Sequence, residues 1–134
     1  MRTVFADSFY FFALVNRHDP AHAKALTFSQ TFTGRLVTTG FVLVELADGC
    51  ASTAQRRAVA AEAVSELRNN PDVAIVPFTD QLFEQGMSLY QQRPDKEWSL
   101  TDCISFVVMQ REGITDALTG DKHFEQVGFV ALLK

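Results

Sequence analysis

A chain of 134 residues is the length of one domain with room for a real core. Its 47% apolar and 21% charged residues exclude a disordered or fibrous chain, and no apolar run nears the roughly 20 residues that cross a bilayer. Twelve basic against sixteen acidic residues exclude a polybasic nucleic-acid binder, but not a nucleic-acid enzyme, because bound divalent cations reverse the field of an acidic site.

The amino-terminal "VFADSFYFFALV" is broken by Asp7, follows a single arginine and lacks a cleavage site. It reads as mature structure and not as a signal peptide. Thr3–Ala6 predicts a first strand, and the aromatic stretch Ser8–Asn16 a buried helix. Asp19-Pro20 supplies an N-cap and a first-turn proline for a second helix running to about Ser29. A strand over Arg35–Thr38 then leads through "TTG" into a short helix at residues 40–50. Residues 53–69 carry Ala60, Ala63, Val64 and Leu67 on one face, an amphipathic helix closed by "NNP". A strand at Val73–Pro77 precedes a helix at 80–92, where Leu82, Phe83, Gly86, Met87 and Tyr90 fall at helical spacing. Ser99 opens a largely buried helix through Gln110, ended near Gly113. Strands at Ile114–Thr119 and Val130–Leu133 complete the series. Strands separated by helices imply right-handed crossovers, hence an α/β fold with a mainly parallel sheet of four to five strands and helices on both faces. Cys50 and Cys103 sit among apolar neighbours without a CxxC spacing, as reduced core thiols of a cytoplasmic protein do.

In parallel sheets ligands bind outside the carboxyl ends of the strands, and several acids fall there. Asp7 follows the first strand, and Glu45 lies about a turn into the helix after the second, within the apolar "FVLVELA". Asp102 begins the helix that leads to the fourth strand; Asp116 lies in that strand and Asp121 follows it. Each has a plain structural reading. Asp7 and Asp121 are placed to cap helices, Glu45 to reach water, and Asp102 to complete a capping-box-like pattern with Ser99. Gathered together, however, like charges oppose ionisation and folding unless something positive offsets them. No basic residue adjoins Asp7, Glu45 or Asp102 in sequence. A hard divalent cation, which prefers oxygen ligands, is the natural counter-charge.

The stretches "VFADSFYFFALVNRHDPAHAKA", "LVTTGFVLVELADG" and "WSLTDCISFVVMQREGITDALTGDKHFEQVGF" together resemble the PIN-domain ribonucleases, and among them the VapC-like toxins of toxin–antitoxin pairs. The last stretch is the most specific: its acids, Ser99, Thr101, Ser105, Thr119 and His123-Phe124 fall in the family order. The resemblance implies one three-layer α/β/α domain over residues 1–134 and a metal-dependent endoribonuclease using one or two Mg²⁺ or Mn²⁺ ions. It makes Asp7, Glu45, Asp102 and Asp121 the metal-binding catalytic acids, with Asp116 as an auxiliary. Ser8 and Thr119 become hydroxyls near the metal, holding acids or water. Ser105, one turn after Asp102, either orients that carboxylate or bonds its own helix backbone.

The implied substrate is single-stranded or looped RNA, whose splayed bases stack on aromatic and arginine side chains. Arg56, Arg57, Arg93, Lys96, Trp98 and Lys122 are the candidates to guide it, the plainer reading of each being a solvated charge or, for Trp98, a packing residue. The three histidines lack zinc-ligand spacing, and His123 is expected to be structural or to face substrate. The resemblance further implies a cytoplasmic homodimer held inactive by a small antitoxin. The aromatics near "SFYFF" and the helices at 19–30 and 53–69 are surfaces such partners could use, with core packing the favoured role of the phenylalanines. Two other readings are weighed. One is a PIN fold kept only for binding, against which all four acidic positions are filled. The other is a different α/β phosphatase or phosphotransfer domain, against which "ADSFYF" lacks the second aspartate, "TVFADS" lacks an acidic pair and there is no P-loop lysine motif.

Overall fold

Short apolar runs and longer helical stretches alternate along the chain. The computed structural model, which describes Met1–Lys134, assembles them into one parallel five-stranded sheet with helices on both faces. The strands are β1 (Thr3–Ala6), β2 (Arg35–Thr39), β3 (Val73–Val76), β4 (Asp116–Leu118) and β5 (Val130–Ala131). The first half holds α1 (Ser8–Val15), α2 (His22–Thr31), α3 (Gly40–Gly49) and α4 (Ala54–Asn69). The second half holds α5 (Asp80–Gln92), α6 (Leu100–Glu112) and α7 (Lys122–Val127). No helix is long and apolar enough to cross a membrane.

The strand order is β3-β2-β1-β4-β5. From β1 the chain steps outward through β2 to β3, then returns to the far side of β1 for β4 and β5. Right-handed crossovers running in opposite directions put their helices on opposite faces. The direction reverses between β1 and β4, where Phe5 lies opposite Ala117 and Ala6 opposite Leu118. Beyond the carboxyl ends of these two strands the diverging connections leave a crevice, the place where open parallel sheets bind ligands.

β1 is the spine of the core: Val4, Phe5 and Ala6 are wholly enclosed. Phe106 of α6 meets Phe124 of α7 edge to face at a centroid distance of 4.9 Å, and Phe124 in turn lies 6.5 Å from Phe5. This stack seats the beginnings of α6 and α7 against β1. α5 lies close on α6 because Gly86 has no side chain; a Cβ there would fall 2.3 Å from Ile104 Cγ1. Cys50 and Cys103 are buried free thiols.

Local chemistry moves the boundaries of three elements away from the expected ones. Asp19 does not cap α2: its side chain accepts the Ala21 N–H and its carbonyl the His22 N–H, so Asp19-Pro20 make a turn before the helix. α2 then continues to Thr31. β4 and β5 are shorter than the apolar runs that contain them, although Leu132 and Leu133 still donate to Ala117 and Thr119 beyond the regular ladder.

Candidate metal centre

Asp7 ends β1 at the crevice and takes the N-cap position of α1, yet its side chain makes no capping hydrogen bond. Its carboxylate turns instead across the β1–β4 gap, where Thr119 Oγ1 donates to Asp7 Oδ2 at 2.9 Å. Only 4% of Asp7 is exposed. Burial, then the charges of Asp102 and Glu45, push its carboxyl up to about 7 despite the Thr119 hydroxyl and the Ser8 amide, which favour the charged form.

Ser8, next in the chain, donates through its hydroxyl to Glu45 Oε1. Glu45 is carried there by α3, which starts directly after β2 because Thr39 caps it, accepting the Val42 N–H at 3.1 Å. Burial and the charges of Asp102 and Asp121 raise the Glu45 carboxyl, with the Ser8 hydrogen bond acting against them.

Asp102 sits in the first turn of α6, in a complete capping box. Ser99 Oγ accepts the Asp102 N–H at 3.0 Å, and Asp102 Oδ2 accepts the Ser99 N–H at 3.2 Å. The same oxygen lies 3.1 Å from His123 Nδ1. Burial and Asp121 raise the Asp102 carboxyl, while His123 and the Ser99 amide hold it down. Asp121 caps α7 through its Oδ1, which accepts the His123 N–H at 2.9 Å, and its Oδ2 stands 3.4 Å from His123 Nδ1.

The crevice therefore gathers Asp7, Glu45, Asp102 and Asp121, and each pair except Asp7–Asp121 interacts through charge. No lysine or arginine forms an ion pair with any of the four. Capping accounts for part of Asp102 and Asp121, and for none of Asp7 or Glu45. Glu45 Oε2 and Asp102 Oδ1 accept no hydrogen bond, so each keeps an uncommitted oxygen. Asp7, Glu45 and Asp102, raised by burial and by neighbouring carboxylates, stand with Asp121 free of any paired lysine or arginine, and this is a donor set that fits a hard divalent cation.

Other predicted residues fall differently. Asp116 is not brought to the cluster: it opens β4 at the opposite end of the sheet and pairs with Arg2 at 3.0 Å. Ser105 is fully buried, but its hydroxyl has no partner and touches neither Asp102 nor its own backbone as a donor. Trp98 is no stacking platform for a base. It is 6% exposed, packs edge-on against Phe106 and donates through Nε1 to Gln126, with Arg93 and Lys96 over its ring. Arg56 and Arg57 are exposed and spend guanidinium donors on the α3–α4 turn, at Ser52, Gly49 and Ala51. Lys122 is exposed beside Asp121. His123, expected to be structural or to face substrate, lies against two of the acids. The ligand atoms of Asp102, Asp121 and His123 all lie within 4.8 Å of one another, although Asp102 and His123 are 21 residues apart in the chain. The available signal was local: Asp121 as N-cap fixes His123 as the second residue of α7.

Comparison with known proteins identifies the family and the fold. The sequence model of the PIN domain matches residues 4–130. The chain is 31% identical over 131 residues to the 23S rRNA-specific endonuclease VapC20 of Mycobacterium tuberculosis, covering 95% of each. The crystal structure of that sarcin–ricin loop cleaving toxin superimposes with a TM-score of 0.84 at 29% identity, over 95% of this chain and 96% of that one. VapBC2 from Rickettsia felis, solved bound to a DNA fragment from its promoter, shares the fold with a TM-score of 0.65 at 11% identity, over 96% of each chain.

Proposed function

The chain belongs to the PIN-domain family, and on that premise we propose that it is a metal-dependent endoribonuclease, the VapC-type toxin of a toxin–antitoxin pair. The observation that carries the reading is the meeting of Asp7, Glu45, Asp102 and Asp121 at the β1–β4 crevice with no lysine or arginine paired to them. These four carboxylates would hold one or two Mg²⁺ or Mn²⁺ ions. Such ions supply an activated water, neutralise charge at phosphorus and stabilise the departing oxygen.

The chain's own groups do the positioning. Thr119 and Ser8 fix the rotamers of Asp7 and Glu45 by hydrogen bonds made on one oxygen of each. The capping box fixes Asp102 on the rigid start of α6, and the α7 cap fixes Asp121. Lys122, exposed beside Asp121, and Lys96, which precedes Ser99, are the cations we propose to receive RNA phosphates; Arg93 already donates Nε and Nη2 to the Asp95 carboxylate at 3.0 and 2.9 Å. Arg56 and Arg57, engaged with their own turn, contribute less.

The mycobacterial relative's name gives 23S rRNA as its target, so that RNA is the first substrate to try. A small antitoxin, a homodimer and a cytoplasmic setting belong to the same reading; the two buried free thiols suit a reducing compartment. The test is cleavage of 23S rRNA and of total RNA by purified protein, with Mg²⁺ or Mn²⁺ and with excess chelator. Metal-dependent cutting that Asp7→Asn abolishes supports the proposal. Cutting that persists in chelator, or in Asp7→Asn, refutes it.

A further inference from the structure

Two acidic oxygens face one nitrogen of His123: Asp102 Oδ2 at 3.1 Å and Asp121 Oδ2 at 3.4 Å from Nδ1. A bare lone pair at Nδ1 would point into two negatively charged acceptors. Whether the ring is neutral or protonated, the proton therefore belongs on Nδ1, and Nδ1–H donates to Asp102. The same residue also grips Asp121, whose Oδ1 accepts the His123 backbone N–H at 2.9 Å. One residue thus ties the start of α7 to the start of α6, with its ring mostly buried at 17% exposure. Both hydrogen bonds to Asp102, from Ser99 and from His123, fall on Oδ2, which leaves Oδ1 to the cluster.

We infer that His123 is a positioning residue, an N–H donor that sets which oxygens of Asp102 and Asp121 are presented, and not itself a ligand of the metal. The inference rests on the proposed metal site but concerns a contact that exists without it. Donors behind metal-binding carboxylates typically matter by about 10–100-fold in affinity.

The experiment has two arms. Ring-nitrogen NMR of ¹⁵N-histidine-labelled protein locates the His123 proton without metal and with saturating Mg²⁺. The proton is expected on Nδ1 in both states; its loss from Nδ1 when Mg²⁺ is added would make the ring a ligand and overturn the inference. Mn²⁺ titration then compares wild type with three variants. His123→Asn keeps an N–H near the place of Nδ1 and is expected to bind within about threefold of wild type, whereas His123→Gln and His123→Ala weaken binding by about 10–100-fold. Wild-type affinity in His123→Ala, or equal loss in His123→Asn and His123→Gln, overturns it. If His123→Ala fails to fold, the Asn–Gln contrast and the NMR arm still decide. Absence of Mn²⁺ binding by the wild type would defeat the metal site itself, and the metal-free NMR result would still report the Asp102 contact.

Discussion

A free aspartate loses its proton near pH 4, but Asp7 is enclosed and stands by Asp102 and Glu45, which with burial hold its proton up to about 7. The folded chain thus binds this proton more tightly than the unfolded chain. Its contribution to stability is fully present below about pH 4 and is lost as pH rises through about 7. Glu45 and Asp102, shifted in the same direction, add to the slope. Without divalent metal, stability should therefore fall between about pH 4 and pH 7 by an amount on the order of a few kcal/mol, and the Tm with it. Asp7→Asn should make that fall shallower and raise the metal-free Tm at the alkaline end. A wild-type Tm that is flat or rising across the window, or an Asn variant with an undiminished fall, would contradict the electrostatics described for Asp7. The four acids were legible in the sequence because charge type and a strand-end position are local facts. Ser8 and Thr119 came only through the family resemblance, since a hydroxyl beside a strand end reads equally as a cap or turn residue. Asp116 was not legible, since its partner Arg2 is 114 residues away and its place at the start of β4 depends on where the strand begins. Trp98 was legible only as a choice between packing, the commoner role, and projecting toward RNA, because amphipathic side chains look alike in sequence either way.

α6 shows how an element can serve structure and chemistry with one set of hydrogen bonds. Its Ser99–Asp102 capping box satisfies two helix-end N–H groups and fixes the carboxylate at the crevice. Ser99→Ala should cost about 1 kcal/mol of stability through loss of the cap. It should also weaken Mn²⁺ binding, because a first turn frayed by loss of the Ser99 Oγ acceptor holds the Ser99 N–H, which alanine keeps, less firmly against Asp102 Oδ2. Ser99→Thr, which keeps the capping oxygen, should restore both; denaturant unfolding and metal titration measure them separately. A Ser99→Ala variant that is destabilised yet binds Mn²⁺ as well as wild type would confine the box to a structural role. Elements with local punctuation were the readable ones: α6 runs from its Ser99 cap to Gly113, whose φ of +69° suits glycine. α2 was misjudged at its start because Asp19 has two acceptors and uses both in a turn. β4 and β5 were overextended because apolar runs continue past the residues that pair regularly.

Across the whole molecule, topology makes the site and charge limits it. The alternation of strands and helices implied a parallel sheet, but the order β3-β2-β1-β4-β5 is a non-local fact that no stretch of sequence contains. That order puts β1 beside β4, and so brings Asp7 within a hydrogen bond of Thr119, 112 residues later. A chain of net charge −4 that adds four interacting carboxylates in one crevice carries unfavourable energy in its folded state until a cation binds. Binding that favours the folded form should raise stability by about 2.7 kcal/mol at one hundred times the dissociation constant. For a domain of this size that is a Tm increase of about 10 °C. Excess chelator should reverse it. The increase should be larger at pH 8 than at pH 5, because a proton on Asp7 competes with the cation for the same carboxylate. Thermal denaturation at both pH values, with Mn²⁺ and with chelator, measures each term. A metal-induced shift of equal size at the two pH values would separate Asp7 from the metal and leave its buried charge without a counter-ion.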